Sequence, residues 1–387
     1  MKLFRVKPGA VLGADVKVPS PLTDVQYLLR LEAGTELTQN HLDRLRRANV
    51  SSIPIKDDDT NDLDKYIHDA QVEAAEDEVR SAFENFTEEL GNQDFDPKSL
   101  SKLKEAISSL IDALSGSELM AAYTTLKDHD NYTAEHSLDV AKITLQFTLE
   151  NEKKLQDTLV EESGASRTSI QRNMLKDLGL GAMLHDLGKR EVDSEILNKP
   201  SGLTKTEMNE VKNHPHYGYE NLKAIASHMN APVRIPAYHH HEKFDGSGYP
   251  QGLEGKEIHL FGRISVFADV YSALTSVRPY RDPLEPSQAL EVMKLMQQEG
   301  PHFDPMIYER YLTLIMPYPG GQEVSLSDGR RGVVCEVDSD SPHYPKVRIL
   351  YENGNRLDSP QEIQLEDDPQ SPTIVDDESG DSGLCRA

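Results

Sequence analysis

Apolar residues recur at every third or fourth position through the middle of this chain. The segment KLKEAISSLIDAL (residues 102–114) has this spacing, and so do MLKDLGLGAMLHDLGK, FGRISVFADVYSALTSV and SQALEVMKLMQQ further along. An α-helix turns once every 3.6 residues, so this period predicts amphipathic helices. No sustained alternation of apolar and polar residues interrupts it. The pattern therefore predicts an all-α domain over residues 120–318.

The two ends of the chain have different patterns. Residues 1–56 mix short apolar runs with turn residues and a Val-Pro-Ser-Pro break, which predicts a small α+β domain. Residues 57–119 are predicted to be an acidic, solvated linker followed by connecting helices. Alternation with Asp-Gly and Asn-Gly turn signals over 319–365 predicts a β-meander of three or four strands. The acidic tail, residues 366–387, is expected to be disordered. The predicted fold class is mainly α, with a small β-rich domain at the C-terminal end.

Composition narrows the classes of function. The chain has 387 residues and a formal net charge of −25, which argues against binding of a nucleic-acid polymer because that requires a basic surface. It contains two cysteines, so no disulfide framework is expected. No apolar run reaches the about 20 residues of a membrane span, and MKLFRVKPGA lacks the apolar region of a signal peptide. We therefore expect a cytoplasmic protein without a membrane span.

Histidines and aspartates occur in a series of short motifs within the helical region. Each residue alone fits a hydrogen-bonded core position, and an adjacent His-Asp pair is a weak signal. Burying all of them together, however, requires a compensating positive charge, which a bound metal ion supplies. The candidate ligands, in chain order, are His136, His185, Asp186, His214, His240, His241 and Asp269.

These ligand types also indicate which metals would bind. Imidazole and carboxylate groups suit iron, manganese, cobalt, nickel or zinc. Seven ligands are too many for one ion, and a carboxylate can bridge two ions about 3.5–4 Å apart, which is the usual arrangement for displacement at phosphorus. No cysteine lies among the candidates, which disfavours a structural zinc site.

Three motifs, HDLGK, HHHEKFDGSGYP and DVYSALTSVRPYR, resemble the HD-GYP family, a branch of the HD-domain metal-dependent phosphohydrolases. The resemblance covers residues 120–315, and the motifs occur in the family's order. It implies an all-helical bundle with a site for two or three metal ions. It also implies hydrolysis of cyclic di-GMP to linear pGpG, and often on to GMP, by a metal-activated hydroxide.

The resemblance assigns the ligands to two divalent ions, with iron or manganese expected. Asp186 bridges the two ions and is expected to be catalytic. His239 has no counterpart among the family's ligands and is expected to be structural or to support a ligand from outside. Glu242 is a candidate for orienting a ligand imidazole from outside. The first ion takes His136, His185, Asp186 and Asp269, and the second takes His214, His240 and His241.

Further motif residues are predicted to handle the substrate. Lys189 lies one helical turn from the ligands and would contact a phosphate oxygen in the chemical step, although it could also be a solvated helix lysine. Arg278 and Arg281 are candidates for phosphate or guanine contacts, or else ordinary surface arginines. The glycine-rich loop would form the substrate side of the site through Gly248, Tyr249 and Pro250.

Three features depart from the family pattern. Tyr132 stands where three-metal members carry an acid, which predicts two ions, and Ser272 stands where an aspartate is common. The segment after HDLGK reads REVDSEIL, where the family more often has an isoleucine-glycine-isoleucine-proline-aspartate run. Ser272 and the REVDS segment keep an alternative open, in which the chain is a weakly active or inactive module that binds a cyclic dinucleotide and signals. A mixed cyclic dinucleotide is a third reading of the substrate. Signalling proteins at the loop or the terminal domains, and a second copy in a homodimer, are the expected protein partners.

Overall fold

The computed structural model describes most of the chain and groups it into two compact units. One unit is helical and comprises Lys17–Leu28 and His68–Ile315, and the other combines Met1–Val16, Leu29–Ile67 and Met316–Ala387. The prediction of a mainly α protein is confirmed. The described residues are 6–13, 16–19, 27–47, 50, 53–66, 69–91, 95–117, 132–164, 166–197, 199, 201–276, 283–338 and 341–375.

The N-terminal part contains few regular elements. Strands β1 (Val16–Pro19) and β2 (Tyr27–Leu31) form a two-stranded sheet, and helix α1 (Gln39–Arg47) follows. Leu42 and Leu45 are the buried residues of α1. Three-residue spacing places both leucines on one face, so the helix packs by a single apolar stripe.

The helical unit is a bundle of α-helices and short 3₁₀ turns. Among the described residues, no helix combines the length and apolar composition that a membrane span requires. The helices are α2 (Ala70–Gly91), α3 (Pro97–Gly116), α4 (Tyr132–Ser163), α5 (Arg167–Met183), α6 (Ser194–Leu197), α7 (Lys205–Val211), α8 (His214–Ala224), α9 (Ile235–His239), α10 (Leu260–Thr275), α11 (Pro286–Glu299) and α12 (Pro305–Leu314).

Helix α3 illustrates how the local sequence sets a helix boundary and a buried face. The side chain of Asp96 accepts a hydrogen bond from the backbone N–H of Lys98, and a proline occupies the first turn. Both features favour a helix N-terminus because the first N–H groups lack partners within the helix. The buried side chains of α3 recur at helical spacing, as the pattern predicted, and include Leu103, Ile107 and Leu110.

Stacked aromatic rings join helices α4 and α10, which carry the first and the last of the predicted ligands along the chain. The ring of Tyr311 on α12 lies 3.8 Å from that of Phe147 on α4 and 4.0 Å from that of Phe267 on α10. All three residues are fully buried. Helix α10 is apolar on nearly every side, and Asp269 follows Phe267 by two positions. The packing therefore brings Asp269 next to the start of α4.

The C-terminal strands are β3 (Glu323–Leu326), β4 (Arg331–Glu336), β5 (Lys346–Glu352), β6 (Asn355–Gln364) and β7 (Ile374–Val375). They form a five-stranded antiparallel sheet in the order β6-β5-β4-β3-β7. The Asp-Gly and Asn-Gly turns lie between β3 and β4 and between β5 and β6, where Gly329 and Gly354 have φ of 83° and 79°. Such φ values favour glycine because it lacks a Cβ atom.

The structure differs from the prediction of a disordered tail beginning at Glu366. Strand β7 pairs with β3 through Ser325 with Val375 and Leu326 with Ile374, and Ile374 packs against the apolar core of the sheet. Two apolar residues in an acidic segment are enough to complete a sheet edge that would otherwise leave backbone groups unpaired. Residues 376–387 lie outside the described part of the chain.

The segment predicted to be a solvated linker also departs from expectation. Its aspartates pair with arginines of the C-terminal sheet: Arg348 Nη1 lies 2.6 Å from Asp62 Oδ1, and Arg356 Nη2 lies 2.7 Å from Asp57 Oδ1. These pairs explain why the N-terminal segment and the sheet form one unit, where the sequence predicted two domains. Charge composition alone does not reveal such long-range partners.

Candidate metal centre

The structure brings the predicted ligands together inside the helical unit. Two groups of three residues each have ligand atoms within 4.8 Å of one another: one contains His136, His185 and Asp186, and the other contains His214, His240 and His241. Asp269 lies beside the first group. The ligands come from five places: His136 from α4, His185 and Asp186 from the turn after α5, His214 from the start of α8, His240 and His241 from the turn after α9, and Asp269 from α10.

Asp186 lies between the two groups. Its Oδ2 atom is 3.4 Å from Nε2 of His185 and 3.7 Å from Nε2 of His136. Its Oδ1 atom is 3.3 Å from Nε2 of His214 and 3.6 Å from Nε2 of His240. Each carboxylate oxygen therefore faces a different pair of imidazoles, which is the geometry expected of a bridging carboxylate.

Backbone carbonyls determine which ring nitrogen is available in three of these histidines. Nδ1 lies 2.7 Å from the Ala182 oxygen in His185, 2.7 Å from the Val211 oxygen in His214, and 2.8 Å from the Pro236 oxygen in His240. A carbonyl oxygen only accepts, so Nδ1 carries the hydrogen in each ring. The Nε2 lone pairs then point toward Asp186. This arrangement is typical of metal-binding histidines.

The contact between His214 and His240 indicates that this cluster can bind a cation. Their Nε2 atoms lie 3.0 Å apart, and both carry lone pairs if Nδ1 is protonated. Two lone pairs at this distance repel each other unless a positive charge lies close by. Nε2 of His185 and Oδ1 of Asp186 are also buried without a hydrogen-bond partner among the described residues. The donor set, nitrogen and carboxylate oxygen in a buried cluster, fits divalent cations.

Burial and charge shift the pKa values of His240, Asp186 and Asp269 in the direction that metal binding requires. For His185, burial opposes protonation, but the charge of Asp186 raises its pKa. Burial lowers the pKa of His240 to about 4, so this imidazole is neutral at pH 7 and can act as a ligand. Burial alone would raise the pKa of Asp186, but the charge of Lys189 holds it well below its usual value. Burial opposes ionisation of Asp269 as well, and the hydrogen bond from His136 keeps its pKa low. Both carboxylates are therefore ionised.

Among the described residues, the cluster is exposed to solvent on the side of His241 and Asp269. Five of the predicted ligands have side chains that are at most 2% exposed, and Asp269 is 11% exposed. The side chain of His241 is 27% exposed. Its Nδ1 atom lies 3.8 Å from Oδ2 of Asp269, so both residues line the open side. A ligand can reach the cluster from this direction.

Lys189 makes a contact that its predicted role did not include. Its ammonium lies 2.5 Å from Oδ2 of Asp186, which directly precedes the 3₁₀ turn Leu187–Glu191 that contains Lys189. The lysine therefore neutralises the central carboxylate directly. A role for Lys189 in binding a phosphate oxygen stays a prediction.

The glycine-rich loop packs against the open side of the cluster. The ring of Tyr249 stacks on that of His241, with centroids 4.8 Å apart, and the backbone N–H of Tyr249 donates to the His241 oxygen. A Cβ atom on Gly248 would lie 2.3 Å from the backbone nitrogen of Lys243, so only glycine fits there. The peptide bond between Tyr249 and Pro250 is cis. This loop forms a wall beside His241.

Two histidine-motif residues have structural roles. Glu242 is fully buried, but its carboxylate accepts hydrogen bonds from the backbone N–H groups of Gln251 and Leu253. It thus holds the loop, and the expectation that it orients a ligand imidazole is not met. His239 packs against α10, where a Cβ atom on Gly262 would lie 2.5 Å from its Cβ atom. This agrees with the expected structural role of His239.

Some predicted site residues lie outside the described part of the chain. The sequence analysis also did not identify two residues that lie at the site. Arg278 and Arg281 lie in residues 277–282, outside the described part, as does the side chain of Tyr132. Ser272 was noted only as a departure, yet its Oγ atom lies 3.0 Å from Nδ1 of His136. Lys212 was not considered, although its position two residues before His214 was a usable signal.

Comparison with known proteins supports the resemblance to the HD-domain phosphohydrolases. Residues 137–307 match the family model of the HD domain. A cyclic di-GMP phosphodiesterase of Pseudomonas aeruginosa is 35% identical over 261 residues, which cover 66% of this chain and 58% of that protein. A cyclic di-GMP phosphodiesterase response regulator of Xanthomonas campestris is 38% identical over 148 residues, covering 38% of this chain and 39% of that protein.

A third relative is described as specific for a different cyclic dinucleotide. The 3′3′-cGAMP-specific phosphodiesterase 2 of Vibrio cholerae is 41% identical over 129 residues, which cover 33% of this chain and 24% of that protein. The chain thus spans about three fifths of the Pseudomonas protein and less than half of the other two. Residues 137–307 therefore carry an HD domain, and the similarity to these phosphodiesterases supports the predicted resemblance to the HD-GYP family.

Proposed function

We propose that this protein is a metal-dependent phosphodiesterase that hydrolyses cyclic di-GMP to pGpG, and on to GMP. The observation that carries the proposal is the position of Asp186, whose two carboxylate oxygens each face a different pair of histidines. A dinuclear site of this type suits displacement at phosphorus. The relatives from Pseudomonas and Xanthomonas, which are named for activity on cyclic di-GMP, support the choice of substrate.

Seven residues would hold two divalent cations, for which we propose iron or manganese. When bound, the cations would lower the pKa of a water molecule and stabilise negative charge developing on the phosphate. The first cation would take His136, His185, Asp186 and Asp269, and the second would take His214, His240 and His241 together with Asp186.

The chain's own residues would bind and orient the substrate. Lys189 keeps Asp186 ionised and lies close enough to the cluster to approach a phosphate oxygen when the substrate binds. Gly248, Tyr249 and Pro250 form the wall of the open side, beside His241. Arg278 and Arg281 are proposed as further phosphate or guanine contacts, on the basis of their motif.

A mixed cyclic dinucleotide is a second candidate substrate. The similarity to the Vibrio relative, which is named as specific for 3′3′-cGAMP, is the observation that favours it. A binding module with little turnover is the remaining alternative. It rests on Ser272, whose neutral hydroxyl group contacts His136 at a position where the family pattern that this chain resembles commonly has an aspartate.

One experiment tests these alternatives. The protein is purified without oxygen, its metal content is measured, and turnover of cyclic di-GMP and 3′3′-cGAMP is followed by separating the products. We expect two ions per chain and faster turnover of cyclic di-GMP, with pGpG appearing first. Faster turnover of 3′3′-cGAMP would contradict the proposed substrate. Binding without turnover in the metal-loaded protein would support the signalling module.

A further inference from the structure

The open side of the cluster determines how a substrate must approach. His241 is 27% exposed, whereas the histidines deeper in the cluster are at most 2% exposed. Tyr249 stacks on His241, so its ring borders the only route to the ligands among the described residues. A substrate that reaches the cluster therefore passes along the Tyr249 side.

This border is held rigidly. Glu242 is buried and accepts hydrogen bonds of 2.7 Å from the N–H of Gln251 and 3.0 Å from that of Leu253, directly after the loop. The N–H of Tyr249 donates to the oxygen of His241 at 3.1 Å. Both ends of the short loop are therefore tied to the histidine motif, which restricts the positions that the Tyr249 ring can take.

Lys212 places a positive charge at this border. Its Nζ atom lies 5.1 Å from the centroid of the Tyr249 ring, which is within the range of a cation–π contact. Lys212 follows α7, and its backbone N–H donates to the oxygen of Met208. Its side chain makes no ion pair with any residue that the structure describes. In contrast, Lys189 is paired with Asp186 at 2.5 Å.

The proposed substrate needs such a charge. Cyclic di-GMP has two phosphodiester groups, and only one can be attacked at the metal centre at a time. The other remains an anion beside a protein whose formal net charge is −25. We infer that Lys212 binds the phosphate that is not being cleaved, with Tyr249 supporting its ammonium group. This inference rests on the proposed function and adds a residue that determines substrate specificity.

The test compares two substrates in the metal-loaded, full-length protein. Cyclic di-GMP has two phosphates, and bis(p-nitrophenyl) phosphate has one. Loss of one charged contact corresponds to about a 10- to 100-fold loss in binding. We expect Lys212→Ala to lower kcat/KM for cyclic di-GMP about 10- to 100-fold more than for the one-phosphate probe, mainly through KM.

Two controls accompany this variant. Lys212→Arg keeps the positive charge and should restore most of the specificity ratio. Lys294→Ala removes a charge from an exposed lysine of α11 that pairs with Glu291, so it tests the effect of net charge alone. We expect the Lys294 variant to keep the wild-type ratio.

The outcomes separate this inference from the proposed function. If the wild type cleaves both compounds and Lys212→Ala has the wild-type ratio, Lys212 does not bind the second phosphate, and the proposed function stands. An equal loss for both compounds would also overturn the inference, because it indicates a structural defect. If the wild type cleaves the probe but not cyclic di-GMP, the proposed function itself fails.

Discussion

Ser272 Oγ lies 3.0 Å from Nδ1 of His136, although the two residues are 136 positions apart in the chain. Both are buried, with exposures of 0% and 2%. In His185, His214 and His240 a backbone carbonyl is the partner of Nδ1, and a side-chain substitution does not remove a carbonyl. His136 depends instead on a side chain, so its orientation can be changed by a single substitution.

We predict that Ser272→Ala weakens metal binding on the His136 side of the cluster. The substitution removes the Ser272 hydroxyl that contacts Nδ1, and loss of such an outer partner typically costs about 10- to 100-fold in metal affinity. Competition with a chelator would measure the affinity of each ion. Ser272→Asp supplies a carboxylate and should bind at least as tightly as the wild type. Equal affinities in the Ala variant and the wild type would contradict the assigned role of Ser272.

Because Asp186 lies between the two groups of histidines, its removal should affect both metal ions. Asp186→Ala takes away the one carboxylate that faces both pairs of histidines, so both ions should be lost and turnover should fall by orders of magnitude. Metal analysis checks the first expectation, and circular dichroism should show unchanged helical content. Two ions per chain in this variant would show that the bridge has been assigned to the wrong residue.

A histidine outside the metal cluster predicts how stability depends on pH. His259 caps α10, because its Nδ1 atom accepts a hydrogen bond from the N–H of Phe261 at 3.1 Å. Burial, together with the charge of Arg263, lowers its pKa from 6.5 to about 4. The unfolded chain therefore binds more protons between these values, and the free energy of unfolding decreases as the pH falls from 6.5 to 4.

The contribution of His259 should be about 1–3 kcal/mol over that interval. Denaturant unfolding of the protein at several pH values would measure it. His259→Asn keeps a good capping acceptor and removes the titration, so its unfolding free energy should depend less on pH. The same pH dependence in the variant and the wild type would show that His259 does not control acid stability.

Strand β7 predicts the effect of shortening the C-terminal end. Removal of residues 376–387 keeps the pairing of β7 with β3, so we expect a nearly unchanged melting temperature. Removal from Glu366 onward also deletes β7, which exposes the backbone of β3 and the core contact of Ile374. Thermal unfolding should show a lower Tm for the longer deletion only. Identical Tm values for the two truncations would mean that β7 contributes nothing to stability.

Much of the candidate site could be predicted because its chemistry is local in the sequence. Adjacent or closely spaced motif residues supply most ligands, and helical periodicity places them on a mainly α scaffold. Even the available nitrogen of three histidines follows from carbonyls three or four residues earlier, as for His185 and Ala182. The pairing of Lys189 with Asp186 is also local, since the two are one turn apart.

Tertiary packing decided the rest, because it joins residues whose separation along the chain carries no signal. The contact between Ser272 and His136 requires α10 to pack on α4, and the approach of Lys212 to Tyr249 requires the loop to fold back on His241. The aspartates of the predicted linker likewise found arginine partners almost 300 positions away. The sequence alone determined which chemical groups this protein has for a metal centre. Only the fold decided which side of that centre is open and which charges face it, because exposure and pairing depend on contacts between distant segments.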